Sequence, residues 1–301
     1  MSRYNSFHDY FYNKFNTKVL KLSIDAGFSC PNRDGTLGYE GCIYCSESGS
    51  GDFTFGHGNS VLTQMRKQRT MLEKKWPDGV NIAFFQSFTN TYADVETLRK
   101  LYYEALSFEN TVGLAIATRG DCLSDEVMDL LSELNEKTFL WVEIGMQSVI
   151  QRTIEKINRG YNHEVLDDAI NRLKDRNIKT LAHIIFGLPG EDRSDMMAGI
   201  EYVNEKQLFG VKIHSLYIQE DSGLSSIYKE NLFELLTQQE YTELVIEAIA
   251  KLNPEIVVHR ITGDPNREKL IEPKWTANKL SVLSGIEKAL KDKNIYQGCA
   301  L

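Results

Sequence analysis

The sequence predicts an α/β fold built on a parallel sheet, and three observations carry the prediction. Six short, β-rich apolar runs recur within the first 217 residues. Longer helical patterns separate them, which is the alternation expected of β/α units. The runs are nearly continuous in apolar residues, as strands covered on both faces require.

Taken in order, the expected strands are 19–24 (VLKLSI), 80–86 (VNIAFFQ), 113–118 (GLAIAT), 139–144 (FLWVEI), 179–186 (KTLAHIIF) and 210–217 (GVKIHSLY). Helices are expected over 60–76, 95–107, 125–135, 164–176 and 193–205. Ser124, just before Asp125 and Glu126, suits an N-cap. Periodicity alone leaves open whether the sheet is an open barrel or doubly wound. Beyond Tyr217 the pattern changes. QEDSGLSSIYKE reads as a loop and short helix, followed by a helix over 238–252 and a strand over 256–261. A polar loop, TGDPNREKLIEPKW, and a helix over 277–291 complete the chain. Residues 1–217 therefore read as a catalytic core, and 218–301 as a small α+β extension packed on it.

Composition narrows the function classes. The 301 residues are 42% hydrophobic and 25% charged, enough apolar content for a folded core. No apolar stretch approaches the ~18 residues a membrane helix needs. The N-terminal MSRYNSFHDYFYNKFNTK lacks the apolar region of a secretory signal, so a cytoplasmic location is expected. A net charge of −8 argues against a protein devoted to gripping nucleic-acid backbone, though not against a local basic face.

Three of the five cysteines, Cys30, Cys42 and Cys45, lie in CPNRDGTLGYEGCIYC, a C-x11-C-x2-C spacing just after the first strand. A disulfide framework is a poor reading for a chain of this size and core. Three thiolates hold three irons of a cubane 4Fe–4S cluster and leave the fourth iron open for substrate, as catalytic zinc sites keep an open position. Gly35, Gly38 and Gly41 allow the loop to curl. The competing reading is a three-thiolate zinc site completed by His57.

An open-iron cluster after the first strand of a six-unit β/α sheet resembles the radical S-adenosylmethionine (radical SAM) superfamily. The long first spacing is similar to that of the elongator catalytic subunit and its stand-alone bacterial relatives, the YhcC/YtqA-like group. The similarity runs through DAGFSCPNRDGTLGYEGCIYC (25–45), GSGDF (49–53), FFQSFTNTYA (84–93), ATRGDCL (117–123), WVEIGMQS (141–148), NRGY (158–161), HIIFGLPGE (183–191), KIHSLY (212–217), HRITGDPNREKLIEPKW (259–275) and NIYQG (294–298). It implies a partial (β/α)6 barrel of the TIM type with a C-terminal radical SAM extension.

The resemblance also implies cofactors and roles. A 4Fe–4S cluster on Cys30, Cys42 and Cys45 would bind SAM and cleave it to a 5′-deoxyadenosyl radical, which abstracts hydrogen from substrate. Tyr44 would lie against the adenine, with Ile185 and the GLPGE turn walling it. Gln86, Ser87, Thr89 and Asn90 would meet the methionine amino group, at the strand ends where barrels bind ligands. Glu143 would take a ribose hydroxyl, with Gln147 and Ser148 in the same loop. Arg159 would pair with the SAM carboxylate, a contact suited to its forked guanidinium. His183 and His214, on apolar strands, read as core residues first and substrate contacts second.

By the same resemblance the substrate is tRNA, modified at C5 of its wobble uridine by this transferase-type iron–sulfur enzyme. A reducing partner such as flavodoxin or ferredoxin is implied. The chain is too short for the elongator's acetyltransferase domain, so acetyl-CoA use does not carry over. Candidate RNA-facing surfaces are residues 59–76, with five Lys/Arg (Arg66, Lys67, Arg69, Lys74, Lys75) against Glu73, and 251–301, with nine Lys/Arg against six acids. Arg260, Asp264, Arg267, Lys274 and Trp275 stand together in the latter, and Trp275 suits base stacking or plain packing. The alternatives are a radical SAM enzyme acting on a small metabolite or peptide, and a non-catalytic Fe–S or zinc module.

Overall fold

The computed structural model describes residues 2–49 and 58–301. Its elements run α1 (Phe7–Phe15), β1 (Val19–Ile24), α2 (Val61–Glu73), β2 (Val80–Phe85), α3 (Val95–Leu106), β3 (Thr111–Thr118), α4 (Asp125–Lys137), β4 (Phe139–Gln147), α5 (Gln151–Lys156), α6 (His163–Asp175), β5 (Lys179–Phe186), α7 (Arg193–Glu205) and β6 (Gly210–Ser215). The extension adds β7 (Ile218–Gln219), α8 (Leu224–Lys229), α9 (Gln238–Lys251), β8 (Val257–Arg260), β9 (Leu270–Glu272) and α10 (Lys279–Asp292). His57 and residues 50–53 of GSGDF lie outside the described residues.

The sheet settles the architecture that periodicity left open. Seven strands lie in the order β1-β2-β3-β4-β5-β6-β8, every neighbour parallel. Sequential order makes a curled half-barrel, since a doubly wound sheet reverses its order at a switch point. Every expected strand and helix of the core is present, with β5 and α7 at the expected limits. β4 runs to Gln147, beyond the expected end at 144, so Glu143 sits mid-strand. The extension is also tied into the sheet, because β8 pairs with β6.

Alternation along the strands sorts two cores. One face, including Leu20, Leu22, Leu114, Ile116, Val142 and Ile144, packs under the helices. The inner face begins at the strand starts with Val19, Ile82, Phe84, Ala115, Trp141 and Leu181. Helix α1 fills that end. Ser6 caps it by accepting from Asp9 N at 3.1 Å. Its Phe11 is buried at 1% and meets Phe139 and Trp141, both with centroids at 5.4 Å. The helix touches β1 and β8, the two free edges, so it closes the bottom of the gap between them. The sequence reading left α1 out because FHDYFYNKF contains mostly weak helix formers. Docking of its aromatic face supplies what propensity does not.

At the opposite end the strands release the loops that carry the chemistry, as in β/α barrels generally. Among the described residues no helix is long and apolar enough to cross a membrane.

Candidate functional site

The cysteine loop leaves β1 and is strapped to its neighbours on two sides. On one side Thr89 N donates to Ser29 O at 3.2 Å and Phe88 N to Gly49 O at 3.1 Å. On the other, Asn32 Nδ2 donates to Asn158 O at 2.6 Å, Asn158 Nδ2 to Gly41 O at 2.8 Å, and Ile43 N to Ile157 O at 3.1 Å. Gly35 and Gly41 take left-handed φ values of 92° and 73°, which lets the chain double back. Gly38 does not need that conformation.

The loop brings the three thiols together. Cys30 and Cys42 both press electrostatically on Cys45. Burial, then Cys42, pushes the Cys45 thiol up to about 12, and burial raises Cys42. Such thiols ionise on binding a metal, which deprotonates a coordinating thiol outright. Nitrogen donors already face two sulfurs, Asn32 Nδ2 at 3.6 Å from Cys42 Sγ and Arg119 Nη1 at 3.8 Å from Cys30 Sγ. Hydrogen bonds to thiolate sulfur are how proteins tune iron–sulfur clusters. Among the described residues no three His, Cys, Asp or Glu side chains converge on a single-ion position. Cys122 lies beside Asp121, near enough to Cys30 for the two to interact electrostatically, and Cys299 is exposed.

Around the loop stand polar atoms with nothing to bond. Arg159 is 1% exposed, yet among the described residues no carboxylate pairs with it. Nε donates to Tyr161 O at 3.2 Å and Nη1 to Met146 O and Ser148 O at 2.8 and 3.3 Å, while Nη2 has no partner. Burial lowers its pKa, and a buried cation without an anion is costly. Ser87 Oγ and Asn90 Oδ1, buried in the loop after β2, are likewise unpartnered. Asn90 Nδ2 is spent on Ala117 O at 2.9 Å. Thus a lone donor stands on one side of the cysteine loop, and two lone acceptors on the other. That pairing fits the carboxylate and ammonium ends of an amino acid.

Other expected residues line the same mouth. Gln147, at φ 56° after a bulge, accepts from Tyr44 Oη at 3.1 Å, with its amide nitrogen on Gly145 O and Met146 O at 2.9 and 3.2 Å. Tyr44 and Ile185 share an apolar cluster with Ile43, Ile157, Leu188 and Leu216. Ser148 binds Glu191 through its hydroxyl. Burial raises the Glu191 carboxyl to about 7. Gln86 follows directly after β2, its backbone N donating to Ile24 O at 3.3 Å, and its side chain is half-buried.

Glu143 departs from expectation. Its Oε1 accepts from Lys21 Nζ at 2.7 Å and Trp141 Nε1 at 2.9 Å, and its Oε2 from His183 Nε2 at 2.8 Å and from Lys212 Nζ. A carboxylate has about four lone-pair sites, so no lone pair remains for a ribose hydroxyl. The cause is its mid-strand position inside the barrel, below the loops. Burial would raise this carboxyl, but Lys21 and Lys212 hold it well below the usual range. One surface expectation also changes, that of Arg69, and of the two readings of Trp275 the structure takes plain packing. Arg69 is buried, donating to Trp76 O and Pro77 O at 3.4 and 2.5 Å. Trp275 packs on Tyr241 and donates to Leu236 O at 3.0 Å.

The sequence reading did not single out Asn32, Lys21, Lys212 or Tyr161. Tyr161 receives both Arg119 and Arg159 over its ring, at 4.9 and 4.3 Å. A lone lysine inside VLKLSI and GVKIHS was the available signal for the other two strands.

Comparison with known proteins agrees with this geometry. A profile of the radical SAM superfamily matches residues 30–203, and one of the Radical_SAM C-terminal domain matches 209–292. The chain is 42% identical to YtqA of Bacillus subtilis (strain 168), over 98% of this chain and 92% of that one. It is 33% identical to YhcC of Escherichia coli (strain K12), over 96% and 92%. Among solved structures it resembles Elp3 of the archaeon Methanocaldococcus infernus, with its N-terminus deleted, at a TM-score of 0.71 and 17% identity. That likeness covers 93% of this chain and 64% of the other.

Proposed function

The chain belongs to the radical SAM superfamily, in the stand-alone group related to the elongator catalytic subunit, and from that premise we propose how its residues divide the work. It is a radical SAM enzyme, and its cofactors are a 4Fe–4S cluster and S-adenosylmethionine. When bound, they supply a 5′-deoxyadenosyl radical that removes a hydrogen atom from substrate.

Cys30, Cys42 and Cys45 hold the cluster. Arg159 Nη2 takes the SAM carboxylate, and Ser87 Oγ with Asn90 Oδ1 takes the amino group. Tyr44 and Ile185 face the adenine. The observation that carries this reading is the unpartnered Nη2 of buried Arg159 beside the thiols. The protein's part is to orient these groups and exclude water, because the cofactor carries the chemistry. Loss of 5′-deoxyadenosine release in a reconstituted Cys42→Ala variant is the expected result, and unchanged release sinks the assignment.

For substrate, we propose tRNA, with modification at C5 of the wobble uridine. The resemblance to the elongator subunit supports it, and loops at a barrel mouth are where a base turned out of its stack would be handled. The remaining cations of α2, Arg66 and Lys67, and those after Lys251 would meet phosphates. The reaction belongs in the cytoplasm, with an electron donor such as flavodoxin or ferredoxin. Nucleoside analysis of tRNA from a deletion strain tests this: unaltered wobble uridines reject it and favour a small metabolite or peptide.

A further inference from the structure

The segment after β3 sends one buried cation to the cysteine loop. Arg119 directly follows Thr118, the last residue of β3, and is 9% exposed. Its Nε donates to Asp121 Oδ1 at 2.9 Å and its Nη2 to Asp121 Oδ2 at 2.8 Å, a bidentate fork. The fork fixes the plane of the guanidinium. The remaining nitrogen, Nη1, then faces Cys30 Sγ at 3.8 Å. Tyr161 backs the same plane, its ring centroid 4.9 Å from Arg119 Cζ. Tyr161 is itself pinned, because its hydroxyl donates to Gly145 O at 3.0 Å and accepts from Gly120 N at 3.4 Å.

A turn does not need this arrangement. Arg119 and Asp121 are two residues apart, so their pairing joins no distant elements. A buried ion pair does not repay its desolvation unless further partners complete it. The partner that completes this one is a sulfur 89 residues away in sequence. The space around it is reserved as well. Gly160 has φ 85°, and a Cβ there would come within 3.3 Å of Arg119 Nη2 and 2.9 Å of Asn32 Oδ1. Glycine thus lets both sulfur donors close on the loop. They differ in kind: the donor at Cys42 is the neutral amide of Asn32, and the donor at Cys30 carries a charge that an arginine keeps whatever its burial.

We propose that Arg119, held in plane by Asp121 and Tyr161, sets how readily the cluster is reduced, by keeping a charged N–H on the Cys30 sulfur. The electron comes singly from an external low-potential donor; no bond forms or breaks and no proton moves. The negative charge added beside Cys30 meets a fixed cation in a poorly solvated site, so the guanidinium favours the reduced form and raises the potential. The inference rests on the radical SAM reading, since it needs the cluster. It adds the residue that governs the first electron transfer.

The test uses cluster-loaded protein without SAM, so that no cofactor contact contributes. Each sample is titrated with dithionite in the presence of mediator dyes, and the reduced cluster is counted by electron paramagnetic resonance at equal iron content. Arg119→Gln removes the charge and should make one-electron reduction at least about tenfold less favourable, a fall of about 59 mV. Arg119→Lys keeps the charge and loses the fork, so it should fall by between about twofold and tenfold. The SAM dissociation constant of Arg119→Gln, measured by calorimetry, should stay within about threefold of the unaltered protein.

A reduction equilibrium in Arg119→Gln within about twofold of the unaltered protein overturns the proposal. If that variant does not hold iron, Arg119→Lys decides, and a potential equal to that of the unaltered protein overturns it too. A tenfold loss of SAM affinity at an unmoved potential assigns the guanidinium to SAM and overturns it as well. Failure of the unaltered protein to load a cluster sinks the radical SAM reading and this inference with it. A loaded cluster whose potential ignores Arg119 sinks the inference alone.

Discussion

Replacing Arg159 with methionine separates cofactor binding from folding. The side chain donates to three backbone carbonyls, of Met146, Ser148 and Tyr161, and keeps Nη2 free. Loss of those bonds strands buried acceptors, but it also removes a desolvated charge, so the two effects on stability oppose each other. Cofactor binding has no such offset. A charge-assisted bond from Nη2 to a carboxylate is worth roughly 1.5–3 kcal/mol. The SAM dissociation constant should therefore rise about 10- to 100-fold. Calorimetric titration of SAM into cluster-loaded protein measures it, with melting of the same sample as the control. Arg159→Lys should fall between, since it keeps a charge and loses the fork. A dissociation constant within threefold of the unaltered protein in Arg159→Met, at unchanged fold, refutes the assignment.

Three further outcomes follow from the packing and the charges. Alanine at Cys30, Cys42 or Cys45 should each abolish visible iron–sulfur absorbance after reconstitution, whereas serine at Cys122 or Cys299 should leave it intact. Phe11→Ala should cost roughly 3–5 kcal/mol in denaturant unfolding, because the ring is buried in the barrel floor; a cost under 1 kcal/mol would mean α1 is not part of the core. The Glu191 carboxyl, raised from 4.5 to about 7 chiefly by burial, favours the protonated form when folded. Its stabilising contribution is complete below about 4.5 and is lost as pH rises through about 7. Partial solvent contact reduces the ceiling of roughly 3 kcal/mol to about 1–2 kcal/mol, and Glu191→Gln should flatten the stability profile between pH 5 and 8 to that extent. A parallel profile in the variant would show that the carboxyl does not titrate there.

Much of the core could be read from sequence because its signals are local. Apolar runs bounded by polar loops gave the strands, and the Ser124 cap is realised, its hydroxyl accepting from Val127 N at 3.4 Å. The cysteine spacing lies within one loop and needed no long-range contact to be recognised. What escaped depends on closure of the sheet. Lys21 and Glu143 are 122 residues apart, and only the curl of the barrel makes them partners. The ribose role of Glu143 came from the resemblance, with the strand expected to end at 144; the strand runs on to Gln147 and sets Glu143 deeper in the barrel. Arg69 belongs to the same class: its charge count suggested a surface, but the turn at Trp76 and Pro77 offers carbonyls that draw it inward.

The aromatic helix across the strand starts has a kinetic consequence. With Phe11 and its neighbours wedged there, the interior is a cul-de-sac. The strand-start end is therefore closed to traffic, and the loop side carries entry and departure. Spent methionine and deoxyadenosine thus stand between a finished product and its exit, or the product stands between them and theirs. Release of products past one another at that end is then a step that a burst in the first turnover would reveal.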